Sequence, residues 1–163
     1  MLVEPEIAAN TGAVGRTCVA VGATLWLVRP LGFIISDSKL RRAGLDYWDQ
    51  LDLRLVDHID EVAAALGGTA RLWLFSTKAS TPHVEVVYRA GDALIFGSEG
   101  RGLPEHWLAD RPDRGVRIPI RPEARSLNLS VSVAVGLFEA TRQIGLAAQT
   151  TAPPNPRGPW RGG

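Results

Sequence analysis

Five short apolar runs rich in β-branched and aromatic residues recur along the chain: ATLWLV (23–28), LRLV (53–56), RLWLF (71–75), DALIF (92–96) and GVRIPI (115–120). Stretches of helical periodicity lie between them, over 11–21, 38–44, 59–66 and 104–109. Alternation of this kind predicts an α/β domain built around a mostly parallel sheet. With 163 residues, 45% of them hydrophobic, the chain can bury a core as a single domain without disulfides or a structural metal.

The first helix has Asn10 or Thr11 as its expected N-cap, a stripe of Val14, Cys18 and Val21, and Gly22 as its stop, with Arg16 off the stripe. The segment MLVEPEI before it is short for a strand in a buried sheet. Residues 128–145 resist a single local reading, because SVSVAVG alternates like a strand while LFEATRQIG is helical. We read the whole as one helix capped by Asn128 or Ser126. Being apolar nearly all round, it needs cover on more than one side, part of it from a second subunit. The last stretch, TTAPPNPRGPWRGG (150–163), has too much Pro and Gly to pack, so the folded domain is expected over 1–149 and a disordered tail beyond it.

No apolar run approaches the roughly 20 residues that cross a bilayer, and the opening residues lack the basic and apolar regions of a signal peptide. With one cysteine no disulfide framework exists, and a reducing cytoplasm is the expected compartment. His58, His83 and His106 are isolated, and without a Cys/His cluster no metal site is expected. Net charge is only +1, yet basic residues cluster at Lys39, Arg41 and Arg42 and again from Arg111 to Arg125. Either cluster alone could be no more than a solvated face.

Three bent, polar segments follow strands. FGSEGRGLP (96–104) has the glycine order G-x-x-G-x-G, which is neither a dinucleotide fingerprint nor a P-loop, and its serine stands one position early for a nucleophile elbow. IPIRPEARSLNLS (118–130) turns through Pro119 and Pro122 and delivers Ser126 and Asn128 to a helix start. EPEIAANTGAVGR (4–16) leads into the helix that carries Arg16. Glycines in such a loop either permit a tight turn or bring backbone close to a ligand. Convergence of three turns at strand ends, where α/β sheets hold ligands, favours the second.

In this order NTGAVGR, GLDYW, FGSEGRGLP and IPIRPEARSLNLSVSVAVGLFEA resemble the three motif regions of the SPOUT (trefoil-knot) RNA methyltransferases, and within them the TrmL/YibK group that methylates the tRNA wobble ribose. The resemblance implies an α/β knot with a deep C-terminal trefoil, S-adenosyl-L-methionine as methyl donor, tRNA as substrate and a homodimer. It implies catalytic roles for Arg16, Glu99 and Asn128, and a cofactor pocket walled by Phe75, Thr77, Gly97, Gly100, Gly102, Ile118, Ser126 and Leu127. It assigns substrate contact to Asn10, Lys39, Arg41, Arg42, Arg101 and Phe138. Phe138 stands where these enzymes often carry Tyr, and Val131 where they often carry Asn. Another RNA, such as a ribosomal one, is the alternative substrate, and a non-catalytic RNA-binding protein of the same fold the alternative class.

Overall fold

A computed structural model describes residues 1–35, 48–66 and 71–145. Seven strands are described: β1 (Leu2–Val3), β2 (Leu25–Val28), β3 (Leu53–Val56), β4 (Leu72–Phe75), β5 (Thr81–Pro82), β6 (Ala93–Phe96) and β7 (Gly115–Arg117). They form one sheet in the order β3-β2-β1-β6-β4-β7-β5, and every described pairing is parallel. The helices are α1 (Ala8–Val21), α2 (Ile59–Ala65), α3 (Glu105–Asp110) and α4 (Leu129–Ile144). The expected helix at 38–44 and the expected tail lie outside the described residues.

Side chains alternate across the strands and so build two cores. On one face Leu25, Leu27, Trp73, Phe75, Leu94 and Phe96 pack with Val14 and Cys18 of α1 and with Leu129, Val133 and Ala140 of α4. On the other face Trp26, Val28, Leu74 and Ile95 pack with Val62 of α2 and against Trp107 and Leu108 of α3. The arrangement is a three-layer α/β/α domain, as the alternation predicts. Burial raises the Cys18 thiol above its ordinary value, consistent with a packing role.

Three expectations are corrected, and one strand is added. MLVEPEI does supply a strand: Leu2 and Val3 are both buried, with Leu2 paired to Leu27 on one side and Phe96 on the other. α1 begins at Ala8 with Ile7 as its N-cap, so Asn10 and Thr11 stand inside the first turn, where their N–H groups both reach the Ile7 carbonyl. The strand expected over 115–120 stops at Arg117, because Pro119 has no N–H to give a ladder. β5 gave no signal, since two residues ending in proline carry no periodicity.

The segment 128–145 is one helix, with Asn128 as the N-cap, its side chain accepting from the Ser130 and Val131 N–H groups. α4 buries Leu129, Val133, Gly136 and Ala140, while Val131 is 47% and Phe138 56% exposed. Within this chain the helix therefore has one covered face and one apolar face that no described residue covers. Its far end is tied down by Gln143, which accepts from the Tyr88 N–H at 3.0 Å and donates to the Val86 carbonyl at 2.9 Å.

Candidate active site

The carboxyl ends of β4, β6 and β7 lie side by side, so the loops that leave them meet above one edge of the sheet. Together with the start of α1 they enclose a cleft of about 490 Å³. Its floor is apolar: Phe75 and Phe96 stack with ring centroids 4.5 Å apart, beside the buried Leu129. Its walls are polar and carry Lys78, Glu99 and Arg101.

Of the residues singled out from the sequence, the cleft gathers Asn10, Phe75, Thr77, Gly97, Glu99, Gly100, Arg101, Gly102, Ile118, Ser126, Leu127 and Asn128. Arg16 and Phe138 lie elsewhere, on exposed positions of α1 and α4. Lys39, Arg41 and Arg42 lie outside the described residues. Sequence reasoning missed Lys78, Ser98 and Ser132, which also line the cleft. Lys78 follows the β4 carboxyl end, which is the signal that could have found it. It is ion-paired with Glu105, and that contact holds the Glu105 carboxyl below its usual range.

The loop after β6 folds back on itself. Gly102 N–H donates to the Ser98 carbonyl at 2.9 Å, and Arg101 N–H reaches the Ser98 hydroxyl at 3.3 Å. A Cβ on Gly97 would lie 2.0 Å from the Gly102 carbonyl carbon, so the missing side chain serves the loop's own closure. This corrects the expectation that Gly97 is bare only to admit a ligand. Gly102 has φ +69 with open space around it, a left-handed residue needed for the turn.

Three motif segments are joined through side chains. Glu99 accepts from the Glu6 N–H at 2.8 Å through one oxygen and from the Asn10 amide at 2.9 Å through the other. The Asn10 oxygen accepts from the Asn128 amide at 3.0 Å. Asn128 in turn caps α4, accepting from the Ser130 N–H at 2.9 Å and the Ser130 hydroxyl at 2.6 Å.

A second cavity, about 380 Å³, lies under the amino ends of the strands, lined by apolar groups such as Val14, Cys18, Leu94, Val133 and Ile144. Arg54, Arg89 and Asp92 also line it, but the glycine loop and the segment 118–128 do not reach it. Among the described residues no group of three or more His, Cys, Asp or Glu could hold a metal. None of the described helices is long and apolar enough to cross a membrane.

The model of the SpoU rRNA Methylase family matches residues 1–138. A tRNA (cytidine(34)-2'-O)-methyltransferase of Methylovorus glucosotrophus is 44% identical over 145 residues, which is 88% of this chain and 93% of that protein. A solved structure concerned with 2-OH methylation of C/U34 on tRNA superposes with a TM-score of 0.82 at 48% identity, over 87% of this chain and 92% of that one. An AdoMet-bound rRNA methyltransferase from Sinorhizobium meliloti superposes with a TM-score of 0.76 at 25% identity, over 86% of this chain and 54% of that one.

The two glycines of the cleft loop should respond differently to alanine. Gly97→Ala drives a Cβ into backbone and is expected to cost more than about 3 kcal/mol, whereas Gly102→Ala meets only left-handed strain, on the order of 1–2 kcal/mol. Chemical denaturation of both variants checks the order, and equal losses would show that the loop closes in some other way.

Proposed function

Because the chain belongs to the SpoU rRNA methylase family, we propose that it transfers a methyl group from S-adenosyl-L-methionine to the 2′-hydroxyl of the wobble ribose, nucleotide 34, in a tRNA anticodon loop. One observation carries this reading: the chain spans nearly the whole of a tRNA (cytidine(34)-2'-O)-methyltransferase at 44% identity, and residues of three of the motifs that resemble such enzymes line a single cleft.

The cleft suits an adenosyl group. Its volume of about 490 Å³ falls in the range of small-molecule sites. Stacked Phe75 and Phe96 give a flat apolar floor, while exposed backbone and the Thr77 and Ser126 hydroxyls supply polar edges. The loop from Gly97 to Gly102, with Ile118 and Leu127, would hold the cofactor, which brings a methyl group activated on a sulfonium. The chain's own task is alignment, since in-line displacement needs acceptor oxygen and methyl carbon held together and water kept out.

Arg16 is the proposed orienting donor for the ribose hydroxyl or a neighbouring phosphate. A charged guanidinium has no acceptor and its pKa exceeds about 12, so it serves poorly as a base. Its exposed position on α1, away from the lining of its own cleft, supports service to the site of a second copy. The homodimer rests on the same ground. Val131 and Phe138, seven residues apart on α4, fall on one exposed apolar face that a second copy would cover. The knotted C-terminus is a proposal from the resemblance, and a cytoplasmic location one from the single cysteine. Contact of Lys39, Arg41 and Arg42 with the anticodon stem is likewise proposed.

Two outcomes are expected. Wild-type protein should methylate the tRNA, and a transcript carrying a 2′-deoxy nucleotide at position 34 should take up no methyl group; equal incorporation into both would move the target elsewhere. Arg16→Ala should lower kcat about a hundredfold or more, as loss of a preorganised donor does, with cofactor affinity kept and a dimer still seen by light scattering. A stable, fully active monomer would contradict both the dimer and the shared site.

A further inference from the structure

The resemblance implies catalytic work for Glu99 and Asn128, but most of the hydrogen-bonding capacity that the described residues show at these two side chains is spent on the protein itself. Both Glu99 oxygens are engaged by the start of α1, one by the Glu6 N–H and one by the Asn10 amide. The Asn128 oxygen is engaged by the first turn of α4, and one of its amide protons by Asn10.

The ends of this chain of bonds fix everything between them. A carboxylate can only accept, so Asn10 must turn its NH₂ toward Glu99 and its oxygen away. That oxygen can then only accept, so Asn128 must turn its NH₂ toward Asn10 and its own oxygen toward backbone N–H groups, which can only donate. One orientation of each amide satisfies both ends, and it is the one present. The bonds also join parts far apart in sequence: Glu6 to Glu99 spans 93 residues and Asn10 to Asn128 spans 118.

The geometry points to a positioning relay, Glu99–Asn10–Asn128, that clamps the cofactor loop to α1 and to the start of α4 and takes no part in the chemical step. Glu99 is its anchor, Asn10 its coupler and Asn128 its far terminus. The relay rests on the methyltransferase reading for its consequence, cofactor and hydroxyl held in register, but not for its existence.

A swap of donor and acceptor tests it. In Glu99→Gln two donors must meet somewhere along the chain: at Glu6, at Asn10, or, if the asparagines turn as well, at Asn128 or the first N–H groups of α4. In Asn10→Asp, two carboxylates face each other. The double variant, Asn10→Asp with Glu99→Gln, reverses the middle bond. Its new amide at position 99 can accept from Glu6 and donate to the new carboxylate at position 10, and that carboxylate can accept from Asn128. All three bonds then return, with the negative charge moved by one side chain.

Cofactor affinity is read by titration calorimetry with S-adenosyl-L-methionine, and kcat and KM are read on tRNA. Each single variant should lose about tenfold or more in affinity and in kcat/KM, the usual effect of leaving a half-buried polar group opposed. The double variant should return to within about threefold of wild type in both. A double variant no better than Glu99→Gln, or one that fails to fold, overturns the relay. Recovery of affinity without kcat also overturns it, by showing that the carboxylate itself works in the reaction. If wild-type protein does not methylate tRNA, the functional reading fails alone, and the calorimetric arm still decides the relay.

Discussion

The Glu99 carboxylate is the tie on which the candidate site depends. α1 starts without a capping side chain of its own, and its first turn contains no acid. Glu99 supplies the acid from across the fold, placing a negative charge beside the positive end of the helix while it accepts from the Glu6 N–H and the Asn10 side-chain amide. The same contact fixes the glycine loop that carries Glu99. A helix end and a loop that would each be loosely held alone are thereby held against each other.

This tie works because the sheet has already brought its partners together. β6 pairs with β1 and β4, and β4 with β7, so the segments after β1, β4, β6 and β7 leave one edge as neighbours. Burial on both faces of the central strands leaves the sheet faces to helices and only the strand ends for a ligand. An apolar floor of two stacked rings under polar loops then follows from where the strands stop.

Much of this was legible in the sequence, for identifiable reasons. β2, β3, β4 and β6 announce themselves because short, largely apolar runs between helical stretches leave little choice. β1 and β5 do not, being two residues each and too short to carry a period. Local pattern makes Asn10 a cap for α1 because capping residues are ordinarily close in sequence; here its side chain donates to Glu99 instead, and no local pattern can show a partner in another motif. Asn10 is thereby left to face the cleft. Gly97 was legible as special, but its reason was not: the obstruction is the returning backbone at Gly102, visible only once the turn is closed. The resemblance singles out twelve residues that the fold gathers around one cleft, while Arg16, which no local pattern separates from them, stands outside its lining.

The central claim is that three segments distant in sequence close on one ligand at the carboxyl edge of the sheet. Hydrogen exchange with and without S-adenosyl-L-methionine measures it most directly. Slower exchange is expected in the loop 97–102 and in 118–128, with little change around Cys18 and Leu94 in the apolar cavity at the opposite edge. Protection confined to that second cavity, or none anywhere, would contradict it.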